Sequence, residues 1–216
     1  MTSSHDYTHA AIIVIDVQND FVAPGAPIEC SGAREIITPL KTLLEEGRRR
    51  GIPIIFTQEV HRKEQVDFGL ELEYGEPLHC LEGGRGAAFY KDLLPEEGDH
   101  IIQKRRYSAF FATDLDILLK GLGINTLILT GVATDVCVRA TAQDAHQHNY
   151  RVAVVPECVA GTSRTRHEAA LENIAYIFGE ICPLKDLVNC LPDPNLPMGG
   201  LLRAGNLSTK QQLFNS

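Results

Sequence analysis

No apolar run in this chain of 216 residues approaches the roughly 20 residues that a helix needs to span a bilayer. A helical membrane anchor is therefore not expected, and no membrane partner with it. The residues around Ser3, Ser4, His5 and Asp6 lack the charged and apolar regions of a signal peptide, which makes the cytoplasm the expected location. Clustered positive charge is scarce as well. Lys and Arg number 20 against 28 Asp and Glu, for a formal net charge of −8, and nucleic-acid binding relies on cations grouped to neutralise phosphates. The one basic cluster, Arg48-Arg49-Arg50, falls at the end of a predicted helix, where cations suit the dipole. Cys30, Cys80, Cys137, Cys158, Cys182 and Cys190 show no short paired spacing of the zinc-knuckle or thioredoxin kind, so they read as reduced and mostly structural thiols. Internal repeats are absent too.

What the chain does hold is an alternation of apolar runs and amphipathic stretches, long enough for one domain with a sizeable core. The run Ala10-Ala11-Ile12-Ile13-Val14-Ile15 has the continuity of a strand buried on both faces of a parallel sheet. Further strands are predicted over 53–57, 100–103, 126–130, 152–155 and 179–182. Helices are predicted over 33–50, 114–122, 136–148 and 165–178, with a short one leading into Leu93-Leu94. Such alternation predicts an α/β fold of three layers, a mostly parallel sheet with helices on both faces. Residues 58–85 form a long excursion, too polar and Gly-rich for core, and long loops of this kind are usually functional. Residues 1–190 are expected to form a single domain. The run Leu191-Pro192-Asp193-Pro194-Asn195-Leu196-Pro197 opens a tail over 191–216, expected to be disordered or, through Leu201, Leu202 and Leu213, to lie across a neighbouring subunit.

Three residues stand out because each follows a predicted strand. Cys137 lies in the first turn of a helix after Leu127-Ile128-Leu129-Thr130-Gly131-Val132, where unpaired N–H groups and the helix dipole favour thiolate. Asp16 follows the first strand, and Lys104 follows the third. Ligands bind at the carboxyl ends of strands in open α/β sheets, so an acid, a cation and a thiol would converge on one crevice. Their chemistry is complementary: a carboxylate takes the thiol proton, an ammonium holds that carboxylate, and the sulfur attacks a carbonyl carbon.

In these residues the chain resembles the isochorismatase-like cysteine hydrolases, which include nicotinamidase and the N-carbamoylsarcosine, ureidoacrylate and biuret amidohydrolases. Asp16-Val17-Gln18-Asn19-Asp20-Phe21 looks like the family's first motif. Lys104-Arg105-Arg106-Tyr107-Ser108-Ala109-Phe110 looks like its lysine motif, and Gly131-Val132-Ala133-Thr134-Asp135-Val136-Cys137 like its nucleophile motif. The resemblance implies a Rossmann-like fold and a cysteine amidohydrolase acting on a small amide, ureido or carbamoyl compound. It makes Asp16 the general base, Lys104 its electrostatic partner and Cys137 the nucleophile. It also implies a cis peptide before Ala133, with the backbone N–H groups of Ala133 and Cys137 as oxyanion hole, and a homo-oligomer. Small residues at Gly131 and Ala133 suit a close backbone approach to that oxyanion. Phe21, Tyr107 and Phe110 are the candidate substrate-binding residues, with Phe111 nearby, and Arg62, Glu71 and Arg85 are further polar candidates.

Glu59, His61 and His79 occupy places where nicotinamidases hold an Asp-x-His pair and a later His around a divalent metal. Carboxylate and imidazole donors suit zinc, but the same three residues can simply hydrogen-bond one another. The expectation is that no cofactor is required. A metal-assisted nicotinamidase-type amidase is thus the alternative within the family. From other classes come a non-catalytic interaction module and a redox-active thiol protein.

Overall fold

Every side chain of β1 (Ala10–Ile15) is buried, because the strand lies at the centre of a sheet covered on both faces. Its residues alternate between two apolar clusters. Ala10, Ile12 and Val14 pack with Leu40, Leu43 and Leu44 of α2 (Ile37–Arg49) and Leu187 of α6 (Leu184–Cys190). Ala11, Ile13 and Ile15 pack with Leu115 and Leu119 of α3 (Leu115–Gly121) and with Ala142 and Ala145 of α4 (Arg139–Gln147). Each buried Ile or Leu contributes about 2 kcal/mol by burial, so the alternation itself pins the register.

The computed structural model describes residues 6–193. Six strands run in the order β3-β2-β1-β4-β5-β6, with β2 at Ile54–Glu59, β3 at His100–Lys104, β4 at Thr126–Val132, β5 at Arg151–Ala160 and β6 at Glu180–Ile181. All their pairings are parallel. The strand order reverses between β1 and β4, and the carboxyl ends there open into a crevice. At that point Gly131, paired with Ile15, has φ +96, and a Cβ on it would collide with the Ile15 backbone. The absence of a side chain at Gly131 thus serves strand packing first, a use that the sequence reading did not assign to it.

Several boundaries differ from expectation. Strand β2 continues through Gln58 to Glu59, so Glu59 ends a strand and does not open the excursion. Residues 33–36 form turns, and α2 begins only at Ile37. Strand β5 runs past its predicted end at Val155 and through Pro156 to Ala160, because the β4–β5 register shifts between Leu129 and Gly131 and leaves Pro156 out of the ladder. The predicted helix over 136–148 begins with a π-helical turn, Thr134–Val138. The one over 165–178 is α5 (Arg164–Asn173) followed by a second such turn, Ile174–Phe178. Residues before Leu93 form turns and no helix. The short α1 (Asn19–Val22) and α6 were not anticipated.

The excursion is less exposed than its composition suggests. His61 donates its N–H to the Cys80 carbonyl and its carbonyl accepts from Glu82, both at 2.8 Å, which folds the loop back and buries His61, Glu71, His79 and Cys80. After α6, Leu191 is buried and Arg50 donates to the carbonyls of Leu191 and Pro192. The rest of the expected tail, with Leu201, Leu202 and Leu213, lies outside the described residues. No helix among the described residues is long and apolar enough to cross a membrane.

Candidate active site

The reversal of strand order brings Asp16, Lys104 and Cys137 together, from the ends of β1, β3 and β4. Asp16 turns out of β1 with φ 51. Thr57 of β2 holds it, accepting from the Asp16 N–H at 3.1 Å and donating its hydroxyl to Oδ1 at 2.6 Å. Lys104, 1 % exposed, places Nζ 2.7 Å from Asp16 Oδ2, 2.7 Å from Glu59 Oε2 and 3.7 Å from Cys137 Sγ. The ammonium's aligned hydrogen bonds go to Glu59, Cys137 and the Arg106 carbonyl. Its contact with Asp16 Oδ2 is an ion pair without an aligned hydrogen bond. A lysine so deeply buried is held charged only by such partners.

Charge in this cluster is governed by burial and by that lysine. Burial pushes the Asp16 carboxyl up, Lys104 pulls it down and Glu59 adds to the rise, leaving it above the usual aspartate range. Burial also opposes the charge on Glu59. Lys104, the His61 imidazole 3.5 Å away and the hydrogen bond from His79 outweigh it and hold Glu59 well below the usual range. For Lys104, Asp16, Cys137 and Glu59 together overcome burial and raise its pKa well above normal. Burial lifts Cys137 well above an ordinary thiol, with Lys104 opposing and Asp16 and Glu59 reinforcing. The helix-start position was expected to favour thiolate. Burial above all, reinforced by the two carboxylates, works against that expectation and favours the thiol over the thiolate.

Glu59 is the hub that the sequence reading placed elsewhere. Gln18 clamps its backbone, accepting from the Glu59 N–H and donating to its carbonyl, both at 2.8 Å. His79 Nε2 lies 2.9 Å from Glu59 Oε1, and His79 Nδ1 lies 2.8 Å from the Pro77 carbonyl. Both partners are acceptors when Glu59 is ionised, so each ring nitrogen carries a proton. Burial disfavours that charge, but Glu59 and Pro77 raise the His79 pKa overall. His61, 1 % exposed, stacks on Phe68 and has no hydrogen-bond partner on either nitrogen. The ligand atoms of Glu59, His61 and His79 lie within 4.8 Å of one another.

A cavity of about 210 Å³ opens onto Cys137. Phe21, Tyr107 and Ala133 line it, and the Val132–Ala133 peptide bond is cis. Phe110 does not line it. The Phe110 ring stacks on His148 and packs near Tyr150 in the second core cluster, and Phe111 points to solvent. The polar candidates also lie elsewhere: Arg62 pairs with Asp67, Glu71 accepts from the Gly69 N–H, and Arg85 is exposed. Glu29, Cys30 and Glu76 line the cavity although sequence reading did not select them. Residues in loops carry no periodic signal that reveals which cavity they face. A larger and more open depression near Tyr150 and Tyr176 lies away from this chemistry.

Residues 10–186 match the isochorismatase domain family. The chain is similar to the maleamate amidohydrolase of Pseudomonas putida, 32% identical over 183 residues that cover 84% of this chain and 86% of that one. It is likewise similar to the ureidoacrylate amidohydrolase RutB of an Enterobacter strain, 32% identical over 211 residues, 87% of this chain and 91% of that one. Among solved structures, an isochorismatase-like hydrolase from Alkaliphilus metalliredigens superposes with a TM-score of 0.77 at 39% identity, covering 83% of this chain and 97% of that one. The match over most of the chain, and the crevice built at the sheet's strand reversal, identify it as a member of the isochorismatase domain family.

Proposed function

We propose that the protein is a cysteine amidohydrolase that cleaves a C–N bond of a small amide, ureido or carbamoyl compound. The observation that carries this reading is one buried ammonium, Lys104 Nζ, touching both Asp16 and Cys137 Sγ. In the reading, Asp16 takes the thiol proton as the sulfur bonds to the substrate carbonyl carbon. The backbone N–H groups of Ala133 and Cys137 stabilise the resulting oxyanion. Collapse breaks the C–N bond, and the leaving nitrogen receives the proton held by Asp16, leaving a thioester. Asp16 then deprotonates water, which attacks the thioester carbonyl, and the thiol recovers its proton as the acid departs. The amidohydrolase names of the relatives support the bond type. Free cysteines at all six positions suit a reducing, cytoplasmic setting. Release of ammonia from a panel of small amides and ureido compounds tests the reading, and no release from any member would overturn it.

Glu59, His61 and His79 fit a divalent ion such as zinc, since the His61 nitrogens, buried without a hydrogen bond, complete a carboxylate and imidazole donor set. Bound there, it would polarise a carbonyl as a Lewis acid. We propose that turnover does not depend on it. Glu59 is already neutralised by Lys104 and His79, and a cation added beside that ammonium meets repulsion unless His79 gives up a proton.

A further inference from the structure

The cavity beside Cys137 is walled by carboxylates. Glu29, Glu59 and Glu76 line it, and no Arg or Lys does. The nearby cations are committed elsewhere: Lys104 to Asp16 and Glu59, and Arg62 and Arg105 to Asp67. Arg106 donates to the Asp67 carbonyl. Two of the three carboxylates are neutralised, Glu29 by Arg34 at 3.1 Å and Glu59 by Lys104 and His79. Glu76 differs. Half-buried at the cavity wall, its carboxylate has no hydrogen bond or ion pair among the described residues.

Two titratable groups in the same wall sense this field. Tyr107 is pushed up to about 12 by burial and then by Glu76 and Glu71. Cys30 is pushed up to about 12 by burial and then by Asp135, Asp16 and Glu29. No cation acts among the leading causes for either, so negative charge is disfavoured on both sides of the cavity. Burial, Glu71 and Glu59 also raise Glu76, with only His79 opposing. A carboxylate entering this space would be desolvated against Glu76, and the one cation in the wall, the His79 imidazolium, is already paired with Glu59, whereas a cation would find in Glu76 an acid without a hydrogen bond. The chain's net charge of −8 favours the approach of cations in the same sense.

We infer that the site selects amides whose end remote from the scissile carbonyl is cationic, an ammonium or related donor paired with Glu76, and rejects amides bearing a carboxylate there. This rests on the amidohydrolase reading above. It separates this chain from the relatives named for maleamate and ureidoacrylate, since both of those compounds carry a carboxylate.

Three matched probes differ only at the remote end: β-alaninamide (ammonium), 3-hydroxypropionamide (hydroxyl) and succinamate (carboxylate). Calorimetry on Cys137→Ser measures their binding without turnover. We expect β-alaninamide to bind about 10-fold or more tightly than succinamate at low salt. Adding Glu76→Gln should shrink that ratio to about 3-fold or less, and Glu76→Lys should reverse the order, which a misfolded protein could not do. Equal or tighter binding of succinamate, no detectable binding of β-alaninamide, or a ratio unmoved by both Glu76 substitutions overturns the inference. Ammonia release by the wild-type enzyme from the same probes and the wider panel tests the parent reading separately. Charge-selective binding without any release counts against hydrolysis alone, and release without selection counts against the role of Glu76 alone.

Discussion

Glu59 and Lys104 are register partners at the carboxyl ends of β2 and β3, and their side chains meet at 2.7 Å. Because neighbouring parallel strands project paired residues to the same side, one hydrogen-bonded rung delivers both charges to the crevice. The lysine then reaches Asp16 across β2, and the glutamate reaches His79 in the excursion. The cluster is a chain of alternating charges, and each member is buried.

Removing its centre should therefore cost stability as well as activity. Glu59→Ala leaves Lys104 with one carboxylate partner and His79 without its hydrogen-bonded one, and should lower unfolding stability in urea by about 3 kcal/mol. Glu59→Gln, which keeps the hydrogen-bonding shape, should cost less. Equal stability of Glu59→Ala and wild type would refute the charge-chain account.

Cys137→Ser should retain the fold and lose nearly all turnover. During wild-type turnover, intact-mass measurement should reveal an acyl adduct on the protein that the serine variant lacks. Full activity in Cys137→Ser would remove the sulfur from the reaction.

Asp16→Asn and Lys104→Ala should each cut the rate by about 100-fold or more. The double variant should lose less than the product of the two, because groups acting as a unit are not independent. Strictly multiplicative losses would mean that the 2.7 Å contact has no shared catalytic role.

The acid limb of the pH profile follows from the direction of the Asp16 shift. The base works only when ionised, and its carboxyl is raised by burial. Hence kcat/KM should fall as pH drops, with an apparent midpoint above the ordinary aspartate value of about 3.9. Burial raises the thiol as well, in the direction that calls for proton transfer to Asp16 during turnover. A midpoint at or below that of free aspartate contradicts this assignment.

Prolonged chelation should leave most activity in place, and His61→Ala should not mimic the loss of a metal. Near-stoichiometric zinc in protein purified without added metal, together with abolished turnover on its removal and recovery on its return, would shift the mechanism toward the metal-assisted reading.

The sequence by itself determined the strands and the placement of the chemistry along them. An unbroken run such as Ala10–Ile15 can be satisfied only by burial on both faces, and a polar residue directly after such a run must emerge at the sheet edge. That logic located Asp16 without coordinates, and the same sheet rule, joined to the motifs that Lys104 and Cys137 sit in after their strands, placed the other two beside it. Tertiary structure alone decided what surrounds them. Thr57 and Gln18 reach Asp16 and Glu59 across 41 residues of sequence, and Glu76 and Cys30 enter the cavity from separate loops. Phe110, read as a pocket wall, turned into the core against His148 and Tyr150. The protonation of Cys137 belongs to the same class: a helix start favours thiolate locally, but burial and two carboxylates brought from other strands override it. Loop packing and summed charge are properties of through-space neighbours, and a one-dimensional pattern carries no record of which neighbours those will be.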